Sequence, residues 1–303
     1  MIDQSFDFGE IVSVNFGVSL RSNGNMHFVP TDAATKDALK QILRQTRGIF
    51  VGLPDEWEPY DISEDYGARR RVYAPRDNEF MREIATVFDA GALDDLANIS
   101  DHAYDVEFYF AEFRDGLNRK AVGIRKATQL KGTLNARNRL VRLVDDTLVL
   151  IQEDVLNLDT EFDLIVTDPH VFILNPRQTE HLAKIVQQVA STAAEKVKVI
   201  HDSIPFLDLS RIAEKIGNHP RMARHAASIA LNPNLANFQR PAIESLAAKH
   251  GIKFKELGDG RLQCRVSDEA RLLELLDARR YHLDLQGDGG APYRATARQR
   301  VSA

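Results

Sequence analysis

Two aspartates enclose a short apolar stretch in the middle of the chain: Asp163 and Asp168 lie on either side of residues 164–167. A nuclease that holds Mg²⁺ with strand carboxylates and a nearby lysine is the chemistry that such residues could perform. The acid-x-Lys pattern expected on the next strand is missing, because residues 171–174 are wholly apolar. A divergent metal-dependent nuclease therefore stays an alternative, and Asp168-Pro169-His170 is more typical of a turn.

Other catalytic patterns are weaker still. His201, Asp202 and Ser203 supply the residue types of a hydrolase triad, but consecutive residues do not converge as a triad does. The sequence has no Walker loop, no GxGxxG and no HExxH spacing among its nine histidines. Cys264 is the only cysteine, which excludes an intrachain disulfide and a cysteine cluster for zinc. These observations predict no catalytic residue, no metal ligand and no cofactor, and they favour a function in binding.

Basic residues are most concentrated between Arg114 and Arg142, where nine Lys or Arg residues accompany a single acid, Asp115. Residues 1–103 are acidic, with 18 Asp or Glu against 10 Lys or Arg, and residues 179–303 are basic, with 14 against 19. Cations on one exposed surface can replace the counterions of a nucleic-acid backbone without reading its sequence. The predicted DNA-binding residues are Arg119, Lys120, Arg125, Lys126, Lys131, Arg137, Arg139, Arg142, Arg294 and Arg298.

Within this set, the cations from Lys131 to Arg142 are the strongest candidates, because they lie in and after a stretch rich in Gly, Asn and Thr. The alternative is that the block forms solvated outer faces of strands, partly paired with Asp105, Glu107 and Glu112. The C-terminal tail, from Gly287, is Gly-rich and basic, which predicts a frayed, mobile end. Within it, Tyr293 beside Arg294 could stack on a base.

Hydrophobic periodicity predicts an α+β fold in which a largely antiparallel sheet is followed by several helices and a C-terminal hairpin plus helix. Asp32 is a predicted N-cap, and gaps between the middle strands are short enough to make neighbours antiparallel. The predicted strands are 11–18, 106–113, 119–127, 139–144, 147–152, 162–167, 171–174, 252–257 and 261–266. The predicted helices are 33–47, 78–87, one from Pro176 towards Ile200, 209–216, 221–231, 240–250 and one from Ser267 through Arg280.

Two domains are predicted, an acidic α/β domain over residues 1–103 and an α+β domain with basic strands over residues 104–303. Apolar runs reach only about four residues, too short for a transmembrane helix. Residues 1–4 lack the basic start and apolar stretch of a secretory signal, which predicts a cytoplasmic protein.

Several segments resemble the KwaB-like proteins of the Kiwa anti-phage defence system of bacteria. The resemblance covers roughly residues 104–300 and rests on hydrophobic patterns in the strands, the closing helix and the tail. Its segments are Phe108-Tyr109-Phe110, residues 162–166, residues 171–175, residues 272–277 with Tyr281, and Tyr293-Arg294-Ala295. The tail's additional Gly-Asp-Gly-Gly departs from this pattern, and residues 1–103 have no counterpart in it.

The resemblance implies an anti-phage defence protein that binds DNA without sequence preference and acts with a small membrane protein, the A subunit of Kiwa. It also implies a homo-oligomer, and a cytoplasmic protein that its partner recruits to the inner membrane face. No catalytic residues come with it. The alternatives are the divergent nuclease described above and a protein-interaction scaffold that makes no nucleic-acid contact.

Overall fold

The computed structural model describes residues 2–53, 56–64, 66, 71–102, 105–128, 141–144, 147–150, 157–284 and 290–295, with residues 100, 141–144 and 147–150 described by backbone only. Its residues divide into two compact units. Unit 1 comprises residues 1–59 and 68–183, and unit 2 comprises residues 60–67 and 184–303.

The described strands and helices follow one another in an order typical of α+β proteins, which confirms the predicted fold class. The strands are β1 Ile11–Leu20, β2 Met26–Phe28, β3 Glu58–Pro59, β4 Val72–Pro75, β5 Val106–Asp115, β6 Lys120–Lys126, β7 Val141–Val144, β8 Thr147–Leu150, β9 Leu164–Thr167, β10 His170–Ile173, β11 Phe254–Glu256, β12 Leu262–Cys264, β13 Arg280–Leu283 and β14 Ala291–Arg294. The α-helices are α1 Ile2–Ser5, α2 Ala33–Gly52, α3 Arg82–Asp89, α4 Ile99–His102, α5 Pro176–Leu182, α6 Ile185–Ser203, α7 Ser210–Lys215, α8 Pro220–Ala230, α9 Arg240–Lys249 and α10 Glu269–Leu276.

Unit 1 is built on an eight-stranded sheet with the order β2-β1-β5-β6-β9-β10-β4-β3. Its neighbouring strands are antiparallel except for the parallel pair β3 and β4, in agreement with the short connections between the middle strands. Among the described strands, β7 and β8 pair only with each other. Because β6 and β9 are antiparallel neighbours, the chain between them leaves and re-enters the sheet at the same end. Residues 127–163 make this connection, and we call residues 127–158 of it the excursion.

Helix α2 covers one face of the sheet. The carboxylate of Asp32 accepts a hydrogen bond from the Thr35 backbone N–H at 2.7 Å, which confirms the predicted N-cap. Inward-facing α2 residues such as Leu43 and Phe50 belong to the same core as Phe16 and Phe113 of the sheet. Helix α3 packs against the opposite face of the sheet, from which Lys120 projects. There the Lys120 ammonium group lies over the ring of Phe88 from α3.

Close packing explains one glycine of the central strands. A Cβ atom at Gly123 of β6 would lie 2.5 Å from the ring of Phe162, so only glycine allows that ring to lie against the strand. Phe162 is fully buried, and its backbone N–H donates to the Thr46 hydroxyl of α2 at 2.9 Å. The segment entering β9 is therefore fixed to both the sheet and α2.

Unit 2 is mainly helical, with α6 packed against α8 and two small hairpins, β11–β12 and β13–β14. Its centre holds a buried polar network. Asp277 accepts hydrogen bonds from His225 Nδ1 at 2.8 Å and from Ser228 Oγ at 2.7 Å. Arg279, 1% exposed, donates to Asp61 at 2.8 Å and thereby binds residues 60–64 to this unit.

Three predicted features differ from the structure. The predicted long helix after the sheet is two helices, because Lys184 adopts a left-handed conformation with φ of 52° between α5 and α6. The helix predicted from Ser267 to Arg280 ends at Leu276, after which Ala278 also has a positive φ of 54°. Residues 291–294 of the tail form β14 instead of a frayed end, paired with β13.

The predicted domain boundary near residue 103 lies inside unit 1. There β1, which precedes it, pairs with β5, which follows it, over most of their lengths. The two compact units divide the chain at other points, and the separation of residues 1–103 and 104–303 as functional parts stays a prediction.

Candidate nucleic-acid interface

The cations of β5 and β6 lie beside carboxylates of the same sheet. Lys120 Nζ lies 2.6 Å from Glu112 Oε2, and Arg114 Nε lies 3.3 Å from Glu112 Oε1. Glu112 faces Val122 in the register of β5 and β6, so the antiparallel pairing places it between the two cations. A shared carboxylate therefore neutralises part of the charge that the sequence concentrates here.

Arg119 and Asp115 close the turn between β5 and β6. Arg119 Nε donates to Asp115 Oδ2 at 2.7 Å, and the Arg119 backbone N–H donates to Asp115 Oδ1 at 2.8 Å. Burial would raise the pKa of Asp115, but hydrogen bonds from the backbone N–H of Asp7 and from Arg119 hold that pKa below its ordinary value. Asp115 is thus an ionised, buried partner for Arg119.

Arg125 lies among three carboxylates, more than any other predicted binding residue whose side chain the structure describes. Its guanidinium group lies 3.2 Å from Asp159, 3.5 Å from Glu161 and 3.1 Å from Asp163. Arg125 stands at the point where the chain leaves the sheet, and the three acids stand where it returns. We call these four residues the clasp of the excursion.

The clasp includes further hydrogen bonds around Asp163. The carboxylate accepts from the Lys126 backbone N–H at 2.9 Å and from Asn175 Nδ2 at 3.2 Å. Burial is the main influence on its pKa and raises it, against the lowering effect of these donors and of Arg125.

Tyr109 joins the clasp from β5. Its hydroxyl accepts a hydrogen bond from the Asp159 backbone N–H at 2.9 Å, and burial raises the pKa of this tyrosine. The clasp was not predicted from the sequence, because its acids follow Arg125 only after the whole excursion and no local pattern joins them.

Most of the residues predicted most strongly to bind DNA lie in parts of the chain that the structure does not describe. Lys131, Arg137, Arg139 and Arg298 lie outside the described residues, and Arg142 is described only by its backbone in β7. Lys126 is half-buried at the end of β6. Their part in DNA binding stays a prediction.

Arg294 lies in unit 2, on β14. Its guanidinium group is 2.6 Å from Glu274 Oε1, and Arg280 of β13 is 2.7 Å from the other oxygen of that carboxylate. On the same hairpin, Tyr281 and Tyr293 stack with ring centroids 5.6 Å apart, and both are more than two-fifths exposed. The predicted aromatic side chain of the tail is therefore accessible.

The two aspartates of the nuclease alternative do not converge. Asp163 is 1% exposed and is held in the clasp, whereas Asp168 is an exposed turn residue with Arg76 3.6 Å away. Across the residues that the structure describes, no cluster of three or more His, Cys, Asp or Glu side chains could hold a metal ion. The predicted turn at Asp168-Pro169-His170 is present between β9 and β10.

The candidate hydrolase residues His201 and Ser203 contact different backbone carbonyl groups. His201 Nδ1 lies 3.0 Å from the Leu207 carbonyl oxygen, and the Ser203 hydroxyl donates to the Val199 carbonyl within α6.

None of the described helices is long and apolar enough to span a bilayer.

These features define an α+β protein in which Arg114, Lys120 and Arg125 of the sheet pair with carboxylates and a long excursion joins two central strands. Residues 104–285 match the family model described as Kiwa protein KwaB-like. This match spans more than half of the chain, and the protein belongs to the KwaB-like family. Membership indicates Kiwa anti-phage defence. Searches of curated proteins and of solved structures gave no significant match.

Proposed function

We propose that this protein binds DNA backbone without sequence preference, through the excursion, and acts in anti-phage defence with the small membrane A subunit of Kiwa. One observation carries the proposal. The sequence has no Asp or Glu from Gly116 to Val144, while Arg119, Lys120 and Arg125 already have carboxylate partners. Positive charge with no acid between its residues is therefore concentrated in the first half of the excursion.

The clasp supports this proposal by holding both ends of the excursion. Fixing the two ends of a connection lowers the entropy that the chain loses when the connection binds a ligand. In this proposal, Arg125 acts through the excursion and does not contact the phosphates. Arg119 and Lys120 make at most weak contributions to backbone binding in this proposal, because Asp115 and Glu112 already neutralise part of their charge.

The acids of the excursion limit how strongly it can bind. Asp145, Asp146, Glu153 and Asp154 follow the basic half and could neutralise it from within. If they do so, the doubly substituted variant Asp145→Asn/Asp146→Asn will bind duplex DNA more tightly than the wild type. The local charge of the excursion, and not its cation count alone, is then what sets affinity.

The C-terminal hairpin offers a second contact in this proposal. Tyr281 and Tyr293 form an exposed aromatic pair, and the side chain of Arg294 is 41% exposed despite its contact with Glu274. Aromatic side chains stack on bases of any identity, which agrees with binding that does not depend on sequence. This contact favours single-stranded regions, whose bases are accessible.

Fluorescence anisotropy with two duplexes of unrelated sequence tests the DNA-binding proposal. We expect equal affinities for both and a linear decrease of log K with log salt, with a slope near −4.5 if about five phosphates are neutralised. An absence of binding to both duplexes at low salt would refute it and would leave the scaffold alternative. A strong preference for one sequence would also contradict the proposed backbone recognition.

Co-expression with the A subunit tests the membrane partner. We expect the two proteins to co-purify from detergent extracts, and the complex to survive nuclease treatment because the contact is between proteins. Size-exclusion chromatography with light scattering on the purified chain measures the predicted self-association. Failure to recover the pair in any detergent would argue against the partner without touching the DNA-binding proposal.

A further inference from the structure

Three arginines surround an open cavity in unit 1, outside the excursion. Arg44 and Arg47 come from α2, and Arg119 comes from the turn between β5 and β6. The N-terminal segment, residues 3–9, forms the rest of the wall. The cavity has a volume of about 650 Å³, within the range of roughly 300–1,000 Å³ that is usual for small-ligand sites.

The wall of the cavity is held in place by apolar and polar contacts. Phe6 is fully buried and Phe8 nearly so, and their rings meet edge to face with centroids 5.1 Å apart. The backbone N–H of Asp7 donates to Asp115 at 3.0 Å. A segment anchored in this way keeps the cavity formed in the unliganded protein, which reduces the entropic cost of binding.

Each of the three guanidinium groups uses only some of its N–H donors in hydrogen bonds within the protein. Arg44 donates to the Phe8 and Gly9 carbonyl oxygens at 3.0 and 3.3 Å, and Arg47 donates two hydrogen bonds to Asp3. Arg119 donates from its side chain to Asp115 and to the Gln4 carbonyl oxygen. An arginine has five N–H donors, so about three remain on each.

Arg44 differs from the other two because it has no carboxylate within ion-pair distance among the described residues. Its partners are neutral carbonyl groups, so its full positive charge faces the cavity and solvent. The cavity therefore contains one guanidinium group that contacts only neutral carbonyl groups and two that each pair with a carboxylate. Planar, always-charged donors in this number suit the tetrahedral oxygens of a phosphate better than they suit a single carboxylate.

We propose that this cavity binds a phosphoryl group, supplied by a free nucleotide or inorganic phosphate, or by the terminal phosphate of a DNA strand. Asp3 and Asp7 lie in the same wall and oppose the anion, so binding depends on the balance between three guanidinium groups and these carboxylates. Most of the wall comes from the acidic first part of the chain, and the site is independent of the backbone binding proposed for the excursion.

Isothermal titration of the full chain at low ionic strength tests this site, with ATP and inorganic phosphate as separate probes. We expect saturable binding of at least one probe, with one site per chain. Arg44→Gln should weaken it roughly tenfold, because a charge-assisted hydrogen bond to phosphate is lost. Arg82→Gln is the matched control, because Arg82 is an exposed arginine of unit 1 outside the cavity, and it should bind as the wild type does.

A gain of affinity separates the proposal from damage to the fold. Asp3→Asn removes a competing carboxylate and releases Arg47, so it should tighten binding several-fold, which a destabilised wall would not do. A DNA oligonucleotide with a 5′-phosphate, compared with its 5′-hydroxyl form, tests the DNA source. Absence of saturable binding for ATP, phosphate and the 5′-phosphorylated end alike overturns the proposal. Unchanged or weaker phosphate binding by Asp3→Asn also overturns it. Because the cavity is independent of the excursion, Arg44→Gln should leave the salt slope of duplex DNA binding unchanged.

Discussion

Arg125 and Arg142 belong to one basic block of the sequence, yet they differ in the acids that lie near them. Arg125 lies within 3.5 Å of three carboxylates at the end of the sheet, whereas the sequence around Arg142 has no acid until Asp145. Charge density along a chain therefore does not define a binding surface. The spatial position of the carboxylates does, and those around Arg125 come from a distant part of the sequence.

The largest effect should come from breaking the clasp. Replacing Arg125 with Met would leave Asp159, Glu161 and Asp163 without their common cation, at a cost of about 3 kcal/mol in the free energy of unfolding. Urea denaturation followed by circular dichroism measures this cost. Arg114→Met is the control: the Arg114 side chain is 39% exposed and Glu112 keeps Lys120 as a partner, so the loss should be under about 1 kcal/mol. Equal losses for both variants would mean that Arg125 is no more structural than a surface cation.

The second prediction concerns Asp115, whose substitution should lower the free energy of unfolding by less than the substitution of Arg125 does. Asp115→Asn should lower stability by about 2 kcal/mol at pH 7, because its side chain accepts charge-assisted hydrogen bonds. The folded-state pKa of Asp115 lies below its ordinary value of 3.8. The stabilisation is therefore present above that value and is lost as pH falls through the folded-state pKa.

The pH dependence itself is the measurement. Urea midpoints of the wild type and Asp115→Asn should converge as the pH is lowered below about 3.8, and should differ most at neutral pH. A difference that stays constant across this range would show that the carboxylate charge is not what stabilises the turn.

The smallest expected effect concerns Lys120. Its side chain is 14% exposed, and its ammonium group pairs with Glu112 and lies over the Phe88 ring. Lys120→Gln should therefore change the salt slope of DNA binding by less than about one phosphate contact. A full unit of slope lost in anisotropy titrations would mean that DNA displaces Glu112, and that the sheet cations belong to the interface.

The fold class and most elements followed from the sequence because they depend on local signals. The Asp32 cap and the short turns between the middle strands are both encoded within a few residues. The break at Lys184 was not predicted, since a left-handed lysine leaves no signal in hydrophobic periodicity. The tail hairpin was missed because Gly-rich, basic composition hides the pairing of β13 with β14.

The site was predictable only in part, for a different physical reason. The basic block is visible in the sequence, but which of its cations are neutralised is not, because Arg125 pairs with acids from the far side of the excursion. The cavity around Arg44 was missed entirely. Its three arginines lie in two elements that are far apart in the sequence, and most of its wall comes from a region whose net charge is acidic.

The salt dependence of DNA binding tests the central distinction most directly, when it is measured on two sets of variants. Arg137→Ala/Arg139→Ala/Arg142→Ala should reduce the slope by about three if all three cations contact phosphate, while Arg114→Ala/Lys120→Ala should leave it nearly unchanged. Urea midpoints confirm that each variant is folded. A wild-type slope in the first set, together with a reduced slope in the second, would contradict the assignment of DNA binding to the excursion.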